Sequence, residues 1–124
     1  FAGICLFFST LVSCQQKGED FESVSTDEFA TLIADPDIQR LDVRTVAEYS
    51  EEHIPGSINI NVLDEQFAVI ADSTLQKDKP IALYCRSGKR SKKAATILSR
   101  KGYKVYDLDK GFIGWKEAGK ETEK

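Results

Sequence analysis

The sequence predicts a single α/β domain with three layers, α/β/α, around a mainly parallel sheet of four or five strands. Strand-like and helix-like segments alternate along most of the chain, a pattern typical of parallel strands connected by helices. One strand-like segment, residues 81–84, is short and apolar throughout, as expected for a central strand covered on both faces. The composition, 41% hydrophobic and 30% charged in 124 residues, indicates one soluble domain with one core.

The first residues differ from the rest of the chain. Residues 1–12 carry no charge, and this apolar run is too short to span a bilayer but suits the h-region of a signal peptide. Leu11-Val12-Ser13-Cys14 resembles a bacterial lipobox, in which cleavage precedes an acylated cysteine. We therefore expect residues 1–13 to be a signal-peptide remnant and Cys14 to anchor an exported protein on the periplasmic side of the cell envelope. The alternatives are an ordinary secretory signal or a frayed apolar tail.

The folded domain is predicted at residues 22–119. Residues 14–21, the lipidated cysteine and a polar stretch, are predicted to tether it, and residues 120–124 to form a polar tail. A first helix of about ten residues is predicted from Ser25, because the sequence STDE supplies a capping oxygen and first-turn carboxylates. Pro36 ends this helix.

Strands and helices then alternate toward the middle of the domain. Residues 38–43 are predicted to form a strand, and Thr45 is predicted to cap a short helix, VAEYSEE. The apolar/polar alternation of residues 57–62 predicts a strand near a sheet edge. Residues 63–75 place Leu63 and three further apolar side chains on one face, which predicts a third helix.

The second half of the domain begins with the central strand at residues 81–84. A helix is predicted over residues 91–101, where four apolar side chains form one stripe, and Gly102 is predicted to end it in the left-handed conformation. A strand at residues 103–108 and a short helix at residues 112–118 complete the domain.

The loop after the central strand, YCRSGKRS at residues 84–91, predicts the chemistry. Cys85 would lie at the carboxyl end of a central strand, where open α/β sheets bind ligands. Backbone N–H groups of the following residues can converge on its sulfur, with Gly88 permitting a positive φ, and the next helix directs its positive dipole end there. Both effects favour the thiolate, so the pKa of Cys85 should fall below about 8.5. The alternative is a buried, inert cysteine.

The same loop predicts a small anionic substrate. Five of the eight residues from 86 to 93 are cationic in a chain of net charge −3, and the overall charge argues against a nucleic-acid or anionic-membrane partner. Cationic side chains can donate charge-assisted hydrogen bonds to an oxyanion, although each by itself could be a solvated surface charge. The predicted binding residues are the six that follow the cysteine: Arg86, Ser87, Gly88, Lys89, Arg90 and Ser91.

Several ordered motifs across residues 22–119 resemble a single-domain rhodanese. They are Asp42-Val43-Arg44, Glu48-Tyr49, His53-Ile54-Pro55-Gly56-Ser57, the loop at residues 84–91, and Gly111-Phe112 with Trp115. The resemblance implies the rhodanese fold and sulfur transfer through a persulfide on Cys85, without a metal or organic cofactor. Its implied partners are a small sulfur-containing anion such as thiosulfate as donor, and cyanide or a thiol, for example that of a small redox protein, as acceptor. We expect a monomer.

Three further residues are predicted to support the site. Asp42 and Arg44 flank a strand end, and a carboxylate held by that arginine or by loop N–H groups would brace the loop. His53 precedes a proline turn; it is the only histidine, and a metal site would need more ligands, so a role in the turn is expected. Trp115 is expected to pack in the core, with a pocket wall as the alternative.

The sequence departs from the rhodanese pattern at two positions. Glu52 stands where the family often has glycine, and Lys110 where a closing pair of glycines usually begins. Both put the local turn geometry in doubt more than the chemistry.

Two other functions fit parts of the pattern. A cysteine phosphatase or arsenate-handling enzyme would need C-x5-R, whereas Arg90 gives only C-x4-R, so a phosphate would fit poorly. A non-catalytic module could carry sulfur or bind a partner without turnover. A redox role would require a resolving cysteine, and cleavage and acylation would leave only Cys85 as a free thiol.

Overall fold

The computed structural model describes residues 20–124. The predicted signal remnant, Cys14 and nearly all of the tether lie outside the described residues. Within residues 20–124, no helix has the length and apolar character needed to cross a membrane.

Five parallel strands form one sheet in the order β1-β5-β4-β2-β3. As predicted, the apolar strand β4 is central, with all four residues buried, and β3 lies at an edge. The sequence pattern missed β1, because three residues are too few to show an alternation. The strands are β1 (Glu22–Val24), β2 (Gln39–Asp42), β3 (Ile58–Asn59), β4 (Ile81–Tyr84) and β5 (Val105–Leu108).

Five helices alternate with the strands, as the sequence predicts. Two of them begin with a complete capping box, at Ser25 and at Thr45, in which the hydroxyl accepts from the backbone of a glutamate three residues on and that glutamate accepts in return. The helices are α1 (Thr26–Ile33), α2 (Val46–Glu51), α3 (Phe67–Thr74), α4 (Lys89–Arg100) and α5 (Gly111–Glu117).

The predicted start of α3 at Leu63 is wrong. The helix begins at Phe67, and Leu63 is 60% exposed. The Asn61 side chain accepts from the Leu63 N–H at 3.0 Å, and the Asp64 side chain accepts from the Gln66 N–H at 2.8 Å. Such local side-chain bonds hold the backbone in turns that compete with a helix.

Two hydrophobic clusters, one on each side of the sheet, confirm the three-layer prediction. The first packs α3 and α4 against the sheet, and the second packs α1 and α5 against its other face. In the second cluster Phe29 is fully buried and meets the rings of Tyr84 and Trp115 edge to face, with centroids 6.3 and 6.0 Å apart. Trp115 is therefore a core residue, and its indole N–H donates to the Glu121 carbonyl at 2.7 Å.

The C-terminal residues contact the domain. Glu123 and His53 exchange two backbone hydrogen bonds of 2.9 Å in an antiparallel bridge. The Glu123 carboxylate also lies 3.1 Å from His53 Nε2 and accepts from the Gly56 N–H at 3.1 Å. The predicted polar tail, residues 120–124, thus packs beside the turn that follows α2.

Replacing Phe29 with alanine should destabilise the domain by about 3–5 kcal/mol, because it removes a fully buried ring and leaves a cavity between two aromatic neighbours. Urea denaturation followed by circular dichroism measures the change. Val69→Ala, at a side chain that is 65% exposed, is the control and should change stability by less than about 0.5 kcal/mol. A loss below about 1 kcal/mol for Phe29→Ala would contradict the packing described.

Candidate active site

Cys85 follows the central strand β4 and begins the loop that leads into α4. The residue is only 1% exposed, and its sulfur accepts a hydrogen bond from the Gly88 N–H at 3.1 Å. Burial by itself raises the pKa of the Cys85 thiol. Hydrogen bonds from the Ser91 hydroxyl and from the N–H groups of Ser91, Gly88 and Ser87 together outweigh burial, so the pKa is lowered. The direction agrees with the sequence-based expectation.

The Ser91 hydroxyl is fully buried beside this sulfur. Within the described part of the chain it makes no well-aligned hydrogen bond to an oxygen or nitrogen. A hydroxyl can rotate its dipole toward a nearby anion, and its hydrogen bond to the Cys85 sulfur lowers the pKa of the thiol. Ser91 is therefore placed to favour negative charge on sulfur.

The first turn of α5 holds the loop from behind. The N–H groups of Phe112 and Ile113 donate to the carbonyls of Cys85 and Arg86, at 2.9 and 3.0 Å. In a trans peptide the C=O and N–H point in opposite directions, so the carbonyl of Arg86 faces α5 and the N–H of Ser87 faces the sulfur. The convergence of N–H groups on Cys85 thus depends on contacts made by a distant helix.

Two glycines permit this close approach. Gly88 has φ of +100°, and a Cβ atom there would overlap the carbonyl oxygen of Asp109. Gly111 has φ of +64°, and a Cβ atom there would overlap the carbonyl oxygen of Arg86. Any other residue at either position would push the loop and the turn before α5 apart.

Lys92, which the sequence analysis did not single out, ties the loop to β5. Its ammonium donates to the Gly88 carbonyl at 3.1 Å, to the Asp107 carboxylate at 3.0 Å and to the Asp109 carboxylate at 3.1 Å. Burial lowers the pKa of Lys92, but the hydrogen bonds with Asp107 and Asp109 outweigh it, so the group stays cationic. The sequence contains only a weak indication of these contacts. It consists of a lysine four residues after Gly88 and two aspartates at the end of a strand.

Arg90 is engaged within the protein. Both of its terminal nitrogens donate to the Glu48 carboxylate, at 2.9 and 3.0 Å. The hydrogen bond from Arg90, with further ones from Thr45, lowers the pKa of Glu48 to about 2. Arg90, one of the predicted substrate-binding residues, thus forms a bidentate ion pair that joins α4 to α2.

Three residues of the loop are exposed: Arg86, Ser87 and Lys89. Among residues 20–124, no carboxylate lies within 4 Å of the charged nitrogens of Arg86 or Lys89. These two side chains are available to an anion approaching Cys85. With the exposed Lys93, which also has no carboxylate within 4 Å among residues 20–124, they contribute the local positive charge expected from the sequence.

Asp42 and Arg44 form the buried pair expected from the sequence. Arg44 Nη2 lies 2.6 Å from the carboxylate, Nε also donates to it, and Nη2 donates to the Glu52 carbonyl at 2.8 Å. The guanidinium lies over the ring of Phe112, 4.4 Å from its centroid. The pair thus supports α5, which in turn holds the loop.

His53 is buried in the turn after α2. Its Nδ1 donates to the Tyr49 carbonyl at 2.8 Å, and its ring stacks on that of Tyr49 at 3.8 Å. Within residues 20–124, no group of three potential ligands could hold a metal ion. His53 thus joins the end of α2 to the turn that follows it, and its support of the site stays a prediction.

The two departures from the family pattern do not disturb the backbone. Glu52 is extended, with φ of −171°, and Lys110 is helical, with φ of −87°. Both conformations are open to any residue.

A pocket of about 400 Å³ lies beside the loop, between α2 and α5. Phe112 and Ile113 form an apolar wall. Six charged residues contribute to the lining: Arg44, Arg86, Lys116, Glu48, Glu51 and Glu52. No sequence pattern indicates that these carboxylates lie beside the loop, because α2 is remote from the loop in sequence.

The family model of the rhodanese-like domain matches residues 25–118. The chain belongs to the rhodanese-like domain family. A sulfurtransferase of Allochromatium vinosum is 32% identical over 98 residues, covering 77% of this chain and 89% of the relative. A thiosulfate sulfurtransferase of Coxiella burnetii is 34% identical over 98 residues, covering 77% and 88%. The crystal structure of a rhodanese-related protein from Thermoplasma volcanium has a TM-score of 0.71 at 30% identity, covering 83% of this chain and 98% of that chain.

In this rhodanese domain, Ser91→Ala should slow alkylation of Cys85 at neutral pH several-fold and move the midpoint of the rate–pH curve upward. The substitution removes one hydrogen bond that lowers the pKa of the thiol. Iodoacetamide kinetics between pH 5 and 10 measure the effect. Ser99→Ala, a helix residue whose hydroxyl bonds only within α4, is the control. A midpoint unchanged by Ser91→Ala would refute the role of this hydroxyl.

Glu48→Gln should lower stability at neutral pH by about 2 kcal/mol, after allowance for partial solvent screening. The Glu48 carboxyl has a lower pKa in the folded protein, about 2, than its ordinary 4.5. Its contribution is therefore present above about pH 4.5 and lost as the pH falls toward 2. Chemical denaturation at several pH values should give a flatter acid limb for the variant. Glu65→Gln, at an exposed carboxylate, should keep the wild-type slope.

Proposed function

We propose that the protein is a sulfurtransferase that moves a sulfane sulfur from thiosulfate or a similar donor to a thiol or cyanide through a persulfide on Cys85. The observation that carries the proposal is the buried sulfur that receives several hydrogen bonds and has a lowered pKa. A thiolate at neutral pH is the nucleophile that such a transfer requires. The similarity to named sulfurtransferases of the rhodanese family supports the same reaction class.

In the first step the Cys85 thiolate attacks the outer sulfur of the donor. A sulfur–sulfur bond forms to Cys85, the sulfur–sulfur bond of thiosulfate breaks, and its electron pair leaves with sulfite. The exposed Arg86 and Lys89 are the groups that would meet the sulfonate oxygens during this step. The thiolate and thiosulfate are both anions, and they repel each other as they approach. Fixed cations offset this repulsion in the transition state and do not have to reorganise.

The persulfide anion would be surrounded by the same hydrogen-bond donors as the thiolate. The loop N–H groups, with Ser87 and Ser91 among them, can donate to the outer sulfur as well as to the inner one. The buried Ser91 hydroxyl, which bonds to no oxygen or nitrogen among residues 20–124, can turn from the inner sulfur toward that extra atom. In the second step an acceptor thiolate or cyanide attacks the outer sulfur, and the electron pair returns to Cys85.

The low exposure of Cys85 favours sulfur transfer over phosphoryl transfer. A terminal sulfur atom carries a single substituent and can approach a sulfur that is 1% exposed, whereas phosphorus carries four oxygens that need room around the nucleophile. Arg90, the nearest match to a phosphatase arginine, is bound to Glu48 at both terminal nitrogens. A phosphate would have to break that ion pair.

We extend the proposal to the setting of the enzyme. The lipobox-like motif supports a domain tethered through Cys14 to a membrane on the periplasmic side. In that setting the acceptor would be a small thiol or a small redox protein, and the domain would act as a monomer. Mass spectrometry of the protein recovered from bacterial membranes, with Cys14→Ser as the control, tests the anchor.

Incubation with thiosulfate should add one sulfur atom to the protein, detectable by intact mass spectrometry, because the thiolate attacks the sulfane sulfur. Treatment with cyanide should remove that atom and release thiocyanate. Cys85→Ser should show neither change. An unmodified wild-type protein, or hydrolysis of aryl phosphates faster than sulfur transfer, would overturn the proposed function.

A further inference from the structure

The pocket between α2 and α5 has no excess of positive charge. Three cationic and three anionic side chains line it. A dianion such as thiosulfate gains little from a pocket without net charge, since the attraction of one sign is offset by the other. The volume, about 400 Å³, also lies in the range of small-molecule sites, about 300–1,000 Å³, and far exceeds the need of a five-atom anion.

Most of the charges in the pocket already have partners in the protein. Arg44 is paired with Asp42, and Glu48 is paired with Arg90. Glu52 lies 2.6 Å from Lys116.

Two charged side chains are left, Arg86 and Glu51. In the part of the chain that the structure describes, neither has an opposite charge within 4 Å, and both are exposed at the pocket. Arg86 directly follows Cys85, and Glu51 is the last residue of α2. The pocket therefore offers one free cation next to the nucleophile and one free carboxylate on the wall formed by α2.

The apolar wall completes the site. Ile113 is 41% exposed, and Phe112 packs under the guanidinium of Arg44. Carbon atoms of a bound molecule can pack against these side chains while its charged ends remain solvated. An inorganic anion has no such carbon atoms.

We propose that this pocket selects a zwitterionic sulfane donor, the persulfide of an amino-acid thiol, with Arg86 binding its carboxylate and Glu51 binding its ammonium group. The proposal rests on the sulfur transfer proposed at Cys85 and names the substrate class of that site. Glu51 is then a specificity-determining residue. It selects the donor by charge and takes no part in the bond changes.

The reaction balances without a further reactant. The Cys85 thiolate attacks the outer sulfur of the donor persulfide, RSSH. The bond between the two donor sulfurs breaks, its electron pair leaves with RS⁻, and Cys85 becomes a persulfide, with the proton retained on the transferred sulfur.

Two donors isolate the contribution of the ammonium group: cysteine persulfide and 3-mercaptopropionate persulfide, which differ only in that group. The wild-type chain should transfer sulfur from cysteine persulfide with a kcat/KM about two- to fivefold higher, the size expected for one exposed ion pair. Glu51→Gln should abolish the preference. Glu51→Lys should reverse it and lower the KM for thiosulfate, because the pocket then has an excess of positive charge.

Glu22→Gln is the matched control. Glu22 is an exposed carboxylate at the amino end of β1, whereas Cys85 follows the carboxyl end of β4. It should retain the wild-type preference. Equal kcat/KM values for the two persulfides in the wild type, or a preference that survives in Glu51→Gln, would overturn the assignment of Glu51 while leaving sulfur transfer intact. Failure of all three donors to add sulfur to Cys85 would instead overturn the proposed function, and this inference with it.

Discussion

The close contact between the Cys85 loop and the first turn of α5 is the constraint on which the site depends. The N–H groups at the start of α5 bind the carbonyls of Cys85 and Arg86, and peptide planarity then turns the following N–H group toward the sulfur. Gly88 and Gly111 allow the two backbones to approach this closely. The loop conformation is thus set by a helix that lies after the last strand.

This arrangement resolves a conflict between burial and ionisation. Placing a thiol at the edge of a hydrophobic cluster disfavours the thiolate, because the charge loses its water. The loop replaces that water with fixed N–H dipoles and a hydroxyl, which lower the pKa of Cys85. Lys92, held by Asp107 and Asp109, fixes the position of the Gly88 carbonyl. The sulfur is therefore buried in surroundings that nevertheless favour the thiolate.

The loop and the neighbouring pocket differ in the groups that they provide. The loop provides backbone N–H groups that stabilise a thiolate, and their positions depend on backbone geometry. The charges of the pocket come from α2, α5, the segments that flank α2, and Arg86 of the loop. Ion pairs within the protein use most of those charges, and among residues 20–124 only Arg86 and Glu51 of the pocket have no opposite charge within 4 Å.

What the sequence determined by itself is local in the chain. The helix caps at Ser25 and Thr45, the buried strand β4 and the place of Cys85 directly after that strand follow from the local sequence, and the structure has them as expected. The tertiary structure decided what depends on residues far apart: the strand β1, the ion pair of Arg90 with Glu48, and the bonds of Lys92 to β5. The partners in these contacts are brought together only when the sheet folds. A sequence pattern shows the local spacing of residues, and it does not show which distant residues will be in contact.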